Sequence, residues 1–173
     1  MTGLDQDKDE IIEIFCIITT GNLDVVDEVG WGTVIHQSKE RMDMMDNWCT
    51  RTHAKSGLTA AVLASGVTPE KAADDLLAYV KKYVPNKGVA LLAGNSVHYD
   101  RAFLRREPYN KVVEHMSHRI LDVSAIKEAA RRWCPKRVIK HAPTKKALHQ
   151  ARADILESIE EARYYKNAIF GKA

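Results

Sequence analysis

Hydrophobic positions change their spacing several times along these 173 residues, and the changes mark the elements. Residues Ile11 to Thr19 are rich in β-branched and aromatic types, with Asp9, Glu10 and Glu13 early, and they run into Gly21-Asn22. This predicts a strand followed by a hairpin turn, with Gly32 to His36 as the partner strand. Met42, Met44, Met45 and Trp48 then recur near helical spacing until Lys55-Ser56-Gly57 breaks the pattern. Thr68-Pro69 reads as an N-cap with proline at the first helical position, and Ala72, Leu76, Leu77 and Val80 form one apolar stripe before Pro85 stops it. Val89 to Ala93 is a short apolar run ending in Gly94-Asn95, as expected of a fully buried central strand followed by a polar loop that starts a helix. Arg119 to Val123 repeats that pattern, with Ser124 as the cap of a helix through Trp133. A final helix places Ile155, Ile159, Ala162 and Ile169 on one face.

Strand, strand, helices, strand, helix, strand and helices, with no linker, repeat or low-complexity tract, describe a single α/β domain over 1–173 with a mixed sheet flanked by helices. Composition fits, since 45% apolar and 28% charged residues suffice for one core. No apolar run approaches the ~20 residues of a membrane span, and the start lacks the basic-then-apolar layout of a secretory signal, so a soluble intracellular chain without membrane contact is expected. Cys16, Cys49 and Cys134 are far apart and form no CxxC, which argues against a disulfide framework or a zinc site. A net charge of +3 with interspersed signs says little about an anionic partner.

Chemistry must therefore come from a site. Neither GxxxxGK[ST] nor GxGxxG occurs, which disfavours kinases and dehydrogenases, and Ser96 lacks the setting of a nucleophile elbow. Asp100 follows a strand and its loop while Asp154 opens the last helix, so the two can meet at one end of a sheet. Taken alone, an Asp near a helix start more often serves as a cap or a first-turn charge that complements the helix dipole. His149 lies five residues before Asp154, about 140° around an ideal helix, so the two share a side only with His149 in the preceding loop. The lysine-rich stretch from Lys140 to Lys146, with Pro143, suits such a loop. Taken in isolation, a histidine there reads far more readily as a solvated surface residue. By the same standard Trp48 reads as a core tryptophan beside the methionines, Arg119 as a salt-bridged side chain, and Ser96 and Ser124 as helix caps.

Extended motifs alter those odds. Met1-Thr2-Gly3-Leu4-Asp5, Asp46-Asn47-Trp48-Cys49, Thr52-His53-Ala54-Lys55-Ser56-Gly57-Leu58, Asn95-Ser96-Val97-His98-Tyr99-Asp100 and His149-Gln150-Ala151-Arg152-Ala153-Asp154, followed by Glu157-Ser158-Ile159 and Tyr164-Tyr165, resemble the oligoribonucleases nearly end to end. These are DEDD-type 3′-to-5′ exonucleases whose last motif carries a histidine. The resemblance implies a ribonuclease-H-like fold, a Mg²⁺- or Mn²⁺-dependent homodimer, and removal of mononucleotides from the 3′ end of RNA fragments two to five residues long. It implies Asp100 and Asp154 as ligands of two metal ions ~4 Å apart and His149 as the general base for the attacking water. Leu4 is then the wedge against a terminal base, Trp48 a stacking platform indifferent to base identity, and His53 a further substrate contact. Ser96, Arg119 and Ser124 fall on positions that grip a 5′ phosphate, Arg119 from the partner subunit, with His118 where the family has a tyrosine. Ala153 replaces a second acidic residue that is not a ligand.

One departure weighs more. In the family an Asp-x-Glu pair lies just before the Met-Thr-Gly-Leu segment, on a strand inside the sheet, and here Met1 opens the chain. The first strand is thus expected to be missing, the chain to be poorly stable, and the natural protein to be longer, with a cytoplasmic or mitochondrial location both open. With half of the metal ligands absent, the rival expectation is a nuclease-fold protein that binds short oligonucleotides or serves as a dimer partner without catalysis.

Overall fold

The structure is a computed structural model and describes residues 1–144 and 151–171. Strand β1 (Glu13–Cys16) pairs antiparallel with β2 (Trp31–Val34), Ile14 opposite Thr33 and Phe15 opposite Gly32. A side chain at position 32 would press a Cβ to within 2.2 Å of the Phe15 ring, which explains the glycine there. The hairpin continues beyond the ladder as one bridge, Thr19 to Val25, around the expected Gly21-Asn22 turn. Strand β3 (Leu92–Gly94) pairs parallel with β4 (Ile120–Asp122). The expected single mixed sheet is therefore two separate two-stranded ribbons, one antiparallel and one parallel, within a mixed α/β fold of the ribonuclease-H-like kind.

Helices follow the expected order with sharper breaks. The methionine-rich segment is two helices, α1 (Lys39–Asp43) and α2 (Asn47–Ser56), because the Asp46 carboxylate accepts from the Cys49 amide at 2.7 Å and starts a new N-terminus. Gly57, at φ 79°, turns α2 into α3 (Leu58–Ala64). Thr68 caps α4 (Pro69–Tyr83) as expected, and the helix ends just before Val84-Pro85. Helix α5 (Val97–Leu104) leaves β3, and α6 (Asn110–His115) leads to β4. The start of α7 (Val123–Trp133) differs from expectation: Asp122, not Ser124, is its N-cap, since the Asp122 carboxylate accepts from the Ser124 amide at 2.9 Å. The short α8 (Lys136–Lys140) follows, and α9 (Ala151–Tyr165) continues into a π-helical turn, Lys166–Phe170.

Ile11 and Ile12 point to opposite sides of the chain, as successive strand residues do, and begin two cores. Ile11 packs with Ile35, Leu76, Val80 and Phe103; Ile12 packs with Met42, Met45 and Val62. A third cluster joins Val123 and Ala130 of α7 to Ala162 and Tyr165 of α9. Val89 to Ala93 departs from the expected buried central strand. Val89 and Leu91 are exposed and only Leu92–Gly94 is laddered, because β3 pairs on one side alone. Both ribbons wall one groove of about 1080 Å³ that touches Glu13 and Ile14 of β1, Leu92 and Ala93 of β3, and α5 and α9.

Candidate active site

Five acidic residues line that groove: Asp46 and Glu157, and with them Glu13 from the start of β1, Asp100 from the first half of α5 and Asp154 from the first turn of α9. Burial pushes the Asp100 carboxyl above its ordinary range, against smaller pulls from its own backbone, the Met1 ammonium and His98. Burial likewise raises Glu13, with Asp154 adding repulsion, and lowers the Met1 ammonium. Desolvated anions held close to one another are unfavourable without a cation, which is the electrostatic setting of a metal site. Among the described residues, however, no three His, Cys, Asp or Glu side chains converge as a metal-binding group. Asp100 and Asp154 thus fit a divalent ion in donor chemistry and form part of an acidic wall, not a complete coordination sphere.

Leu4 and Trp48 stand at the same groove and are 68% and 56% exposed, so Trp48 is not a core tryptophan. Asp46 fixes Trp48 by capping α2, and His53 on that helix approaches the Met1 carbonyl oxygen at 3.1 Å. The segment bearing Leu4 is clamped from behind. One guanidinium nitrogen of Arg41 donates to Thr2 Oγ1 at 2.6 Å, the Asp9 carboxylate at 2.7 Å and the Lys8 carbonyl at 2.9 Å. Asp9 lies so close to Gly3 that a Cβ there would sit 2.2 Å from its carboxylate.

At the ends of β3 and β4 a second constellation forms. The Asp122 carboxylate accepts from the Ser96 amide at 2.9 Å and lies 3.2 Å from His98 Nδ1, and Ser96 Oγ donates to Ser124 Oγ at 3.2 Å. Asn95 donates to Ser124 Oγ at 3.4 Å and to the buried Glu161 carboxylate at 3.0 Å, which Lys127 also meets at 3.0 Å. Ser96 and Ser124, far apart in sequence, are therefore neighbours. His118 and Arg119 precede β4 on the surface. Neither residue lines the groove. His149 lies outside the described residues.

Sequence reasoning missed Glu13, Asp122 and Glu161. The signal for Glu13 was a carboxylate inside Ile11-Ile12-Glu13-Ile14, and for Asp122 an acid two residues before a helical serine. Glu161 gave none, since it reads as one more charge on a charged helix.

Residues 1–162 match the family described as Exonuclease, RNase T. The chain is 47% identical over 171 residues to the mitochondrial oligoribonuclease of Saccharomyces cerevisiae, covering 95% of this chain and 63% of that protein. It is 45% identical over 172 residues to the mouse mitochondrial oligoribonuclease, covering 99% of this chain and 71% of the relative. With the oligoribonuclease of Aliivibrio fischeri it shares 44% identity over 170 residues, 98% of this chain and 91% of that one. The chain thus spans less than two thirds of the yeast relative it matches. No helix among the described residues is long and apolar enough to cross a membrane.

Proposed function

We propose, because this chain belongs to the exonuclease family, that it carries the substrate-binding and part of the catalytic surface of a 3′-to-5′ exoribonuclease. Its substrates are RNA fragments of two to five residues, which it degrades to mononucleotides. The observation that carries this reading is one groove that joins buried carboxylates, Asp100 and Asp154, to two exposed apolar side chains, Leu4 and Trp48, suited to nucleobases. Family members generally depend on a divalent metal; we assign Mg²⁺ or Mn²⁺, held by Asp100 and Asp154. When bound, the ions supply a nucleophile at neutral pH and stabilise the leaving oxygen.

The chain's own residues do the rest. Trp48 offers a face to one base and Leu4 closes on the terminal base, both without reading base identity. His149 takes the proton of the attacking water, a task suited to an imidazole near neutral pH. Ser96 and Ser124 present hydroxyls to the 5′ phosphate, and Arg119 and His118, which stand apart from the groove within one subunit, reach a partner's site in a homodimer. Relatives with mitochondrial names and bacterial relatives stand side by side, which supports a mitochondrial and a cytoplasmic location alike.

Trp48→Ala tests the stacking platform. Since the side chain is mostly exposed, the variant is expected to melt like the parent, while dinucleotide binding weakens by roughly 5- to 150-fold, the equivalent of ~1–3 kcal/mol per stacked base. A lowered melting point with unchanged binding would return Trp48 to a packing role.

The activity itself is tested with a 5′-labelled diribonucleotide and Mn²⁺, using this chain and a version extended at its amino terminus by about ten residues bearing Asp-x-Glu. Cleavage by the extended version, at the least, is the expected result. Cleavage by neither, with binding retained by both, would leave an oligonucleotide-binding protein and overturn the assignment.

A further inference from the structure

We propose that Asp122 is a positioning residue that sets Ser96 and Ser124 as one pair of hydroxyls for a phosphate, an inference that rests on the reading of those serines as phosphate contacts. Strands β3 and β4 run parallel and end in register, Gly94 beside Asp122. Beyond that point the two chains diverge, one into the Asn95-Ser96 turn and one into α7, so nothing in the sheet ladder holds the serines together. Asp122 does. A single oxygen of its carboxylate accepts from the Ser96 amide and the Ser124 amide, each at 2.9 Å, and thereby ties the turn to the start of the helix. Ser96 takes a left-handed conformation, φ 53° and ψ 33°, which a non-glycine residue holds only when its surroundings enforce it.

The geometry also says how the pair meets a ligand. Ser124 Oγ accepts from both Ser96 Oγ at 3.2 Å and Asn95 Nδ2 at 3.4 Å. The bond between the two hydroxyls uses one of their two protons, so one proton of the pair remains to be offered to an acceptor-only ligand such as phosphate. One donor that an anion at a helix N-terminus would use is already taken here, because the Asp122 carboxylate accepts from the Ser124 amide of α7. Repulsion of the ligand by that carboxylate is limited: its side chain is 14% exposed and its second oxygen faces His98 Nδ1 at 3.2 Å. Recognition is thus moved from backbone amides to two side-chain hydroxyls at a spacing Asp122 dictates.

The experiment measures binding of two dinucleotides that differ only in a 5′ phosphate, and reads the ratio of their dissociation constants. For the parent chain the phosphorylated dinucleotide is preferred. Asp122→Ala is expected to reduce that preference about tenfold, the lower end for a hydrogen bond to a charged group. Asp122→Asn, whose carbonyl still accepts both amides, restores it. Asp122→Ser caps α7 with one short hydroxyl that serves a single amide, keeps the helix, and loses the preference as the alanine variant does, which covers failure of Asp122→Ala to fold. Ser96→Ala and Ser124→Ala test the underlying reading and are expected to lose the preference too. If the serine variants lose it while Asp122→Ala and Asp122→Ser keep it, or weaken both dinucleotides equally, the positioning role is overturned and the reading stands. If the serine variants keep it, or the parent shows none, the phosphate reading itself fails and the inference with it.

Discussion

Asp154→Asn and Asp100→Asn are each expected to lower dinucleotide cleavage by at least about 100-fold in whichever chain cleaves, extended or not. Loss of a residue that merely orients a metal ligand typically costs 10- to 100-fold, and removal of a ligand costs more. Asp100→Asn is also expected to move stability the opposite way from activity. Burial holds the Asp100 carboxyl above its ordinary value near 3.8, so the fold binds a proton more tightly than the unfolded chain does. Between the unfolded and the raised folded value the native state therefore holds more protons, and stability falls as pH rises through that window and stays lower above it. Asparagine carries no charge at any pH. Without added metal, Asp100→Asn should melt above the parent at neutral pH and lose the pH dependence in that window. Mn²⁺ should then raise the melting temperature of the parent and leave the variant unmoved, and the Mn²⁺ effect on the parent should fade as acid protonates Asp100. Melting curves with and without Mn²⁺ across pH decide it; a parent that is indifferent to Mn²⁺ would remove Asp100 from the metal site.

The second large effect concerns Glu161, only 1% exposed on α9. Its carboxylate meets Lys127 and Asn95, each at 3.0 Å, and so joins the helix carrying Asp154 to α7 and to the turn carrying Ser96. Glu161→Ala deletes the buried anion, while Lys127, with a 30% exposed side chain, can turn to water. Lys127→Ala deletes the cation beside a carboxylate that keeps its bond from Asn95. Breaking a buried pair costs ~3–5 kcal/mol, and each variant is expected to lose stability toward the lower end of that range. Denaturant midpoints measure both. Equal, small changes near those of exposed pairs would mean that the pair is no tie between the elements.

Much of this was legible in the sequence where one local rule governs. Thr68-Pro69 named the start of α4 because proline and a capping hydroxyl act within one turn. Gly21-Asn22 named its turn for the same reason. Where several segments meet, pattern alone fell short. Val89 and Leu91 resemble the interior of a parallel sheet, yet they are exposed because β3 has one partner, and the number of neighbours is not encoded in the run itself. Met42 and Trp48 share helical spacing but belong to different helices, since the Asp46 cap outweighs periodicity. At the site, Asp100, Asp154, Leu4 and Trp48 were found through motifs and do share the groove. Asp122 escaped notice because its neighbour Ser124 offered the more obvious cap, and Glu161 because burial of a charge depends on Asn95 and Lys127, 66 residues away in one case.

The division of the sheet has a dynamic corollary. Among the described residues no hydrogen bonds run from β1–β2 to β3–β4, and the halves are coupled through side-chain packing and the shared helix α9, so neither ladder must open for the other to do so. Amide protons of the hairpin and of the parallel pair then belong to distinct cooperative units, and a polypeptide laid between them would fuse the two into one.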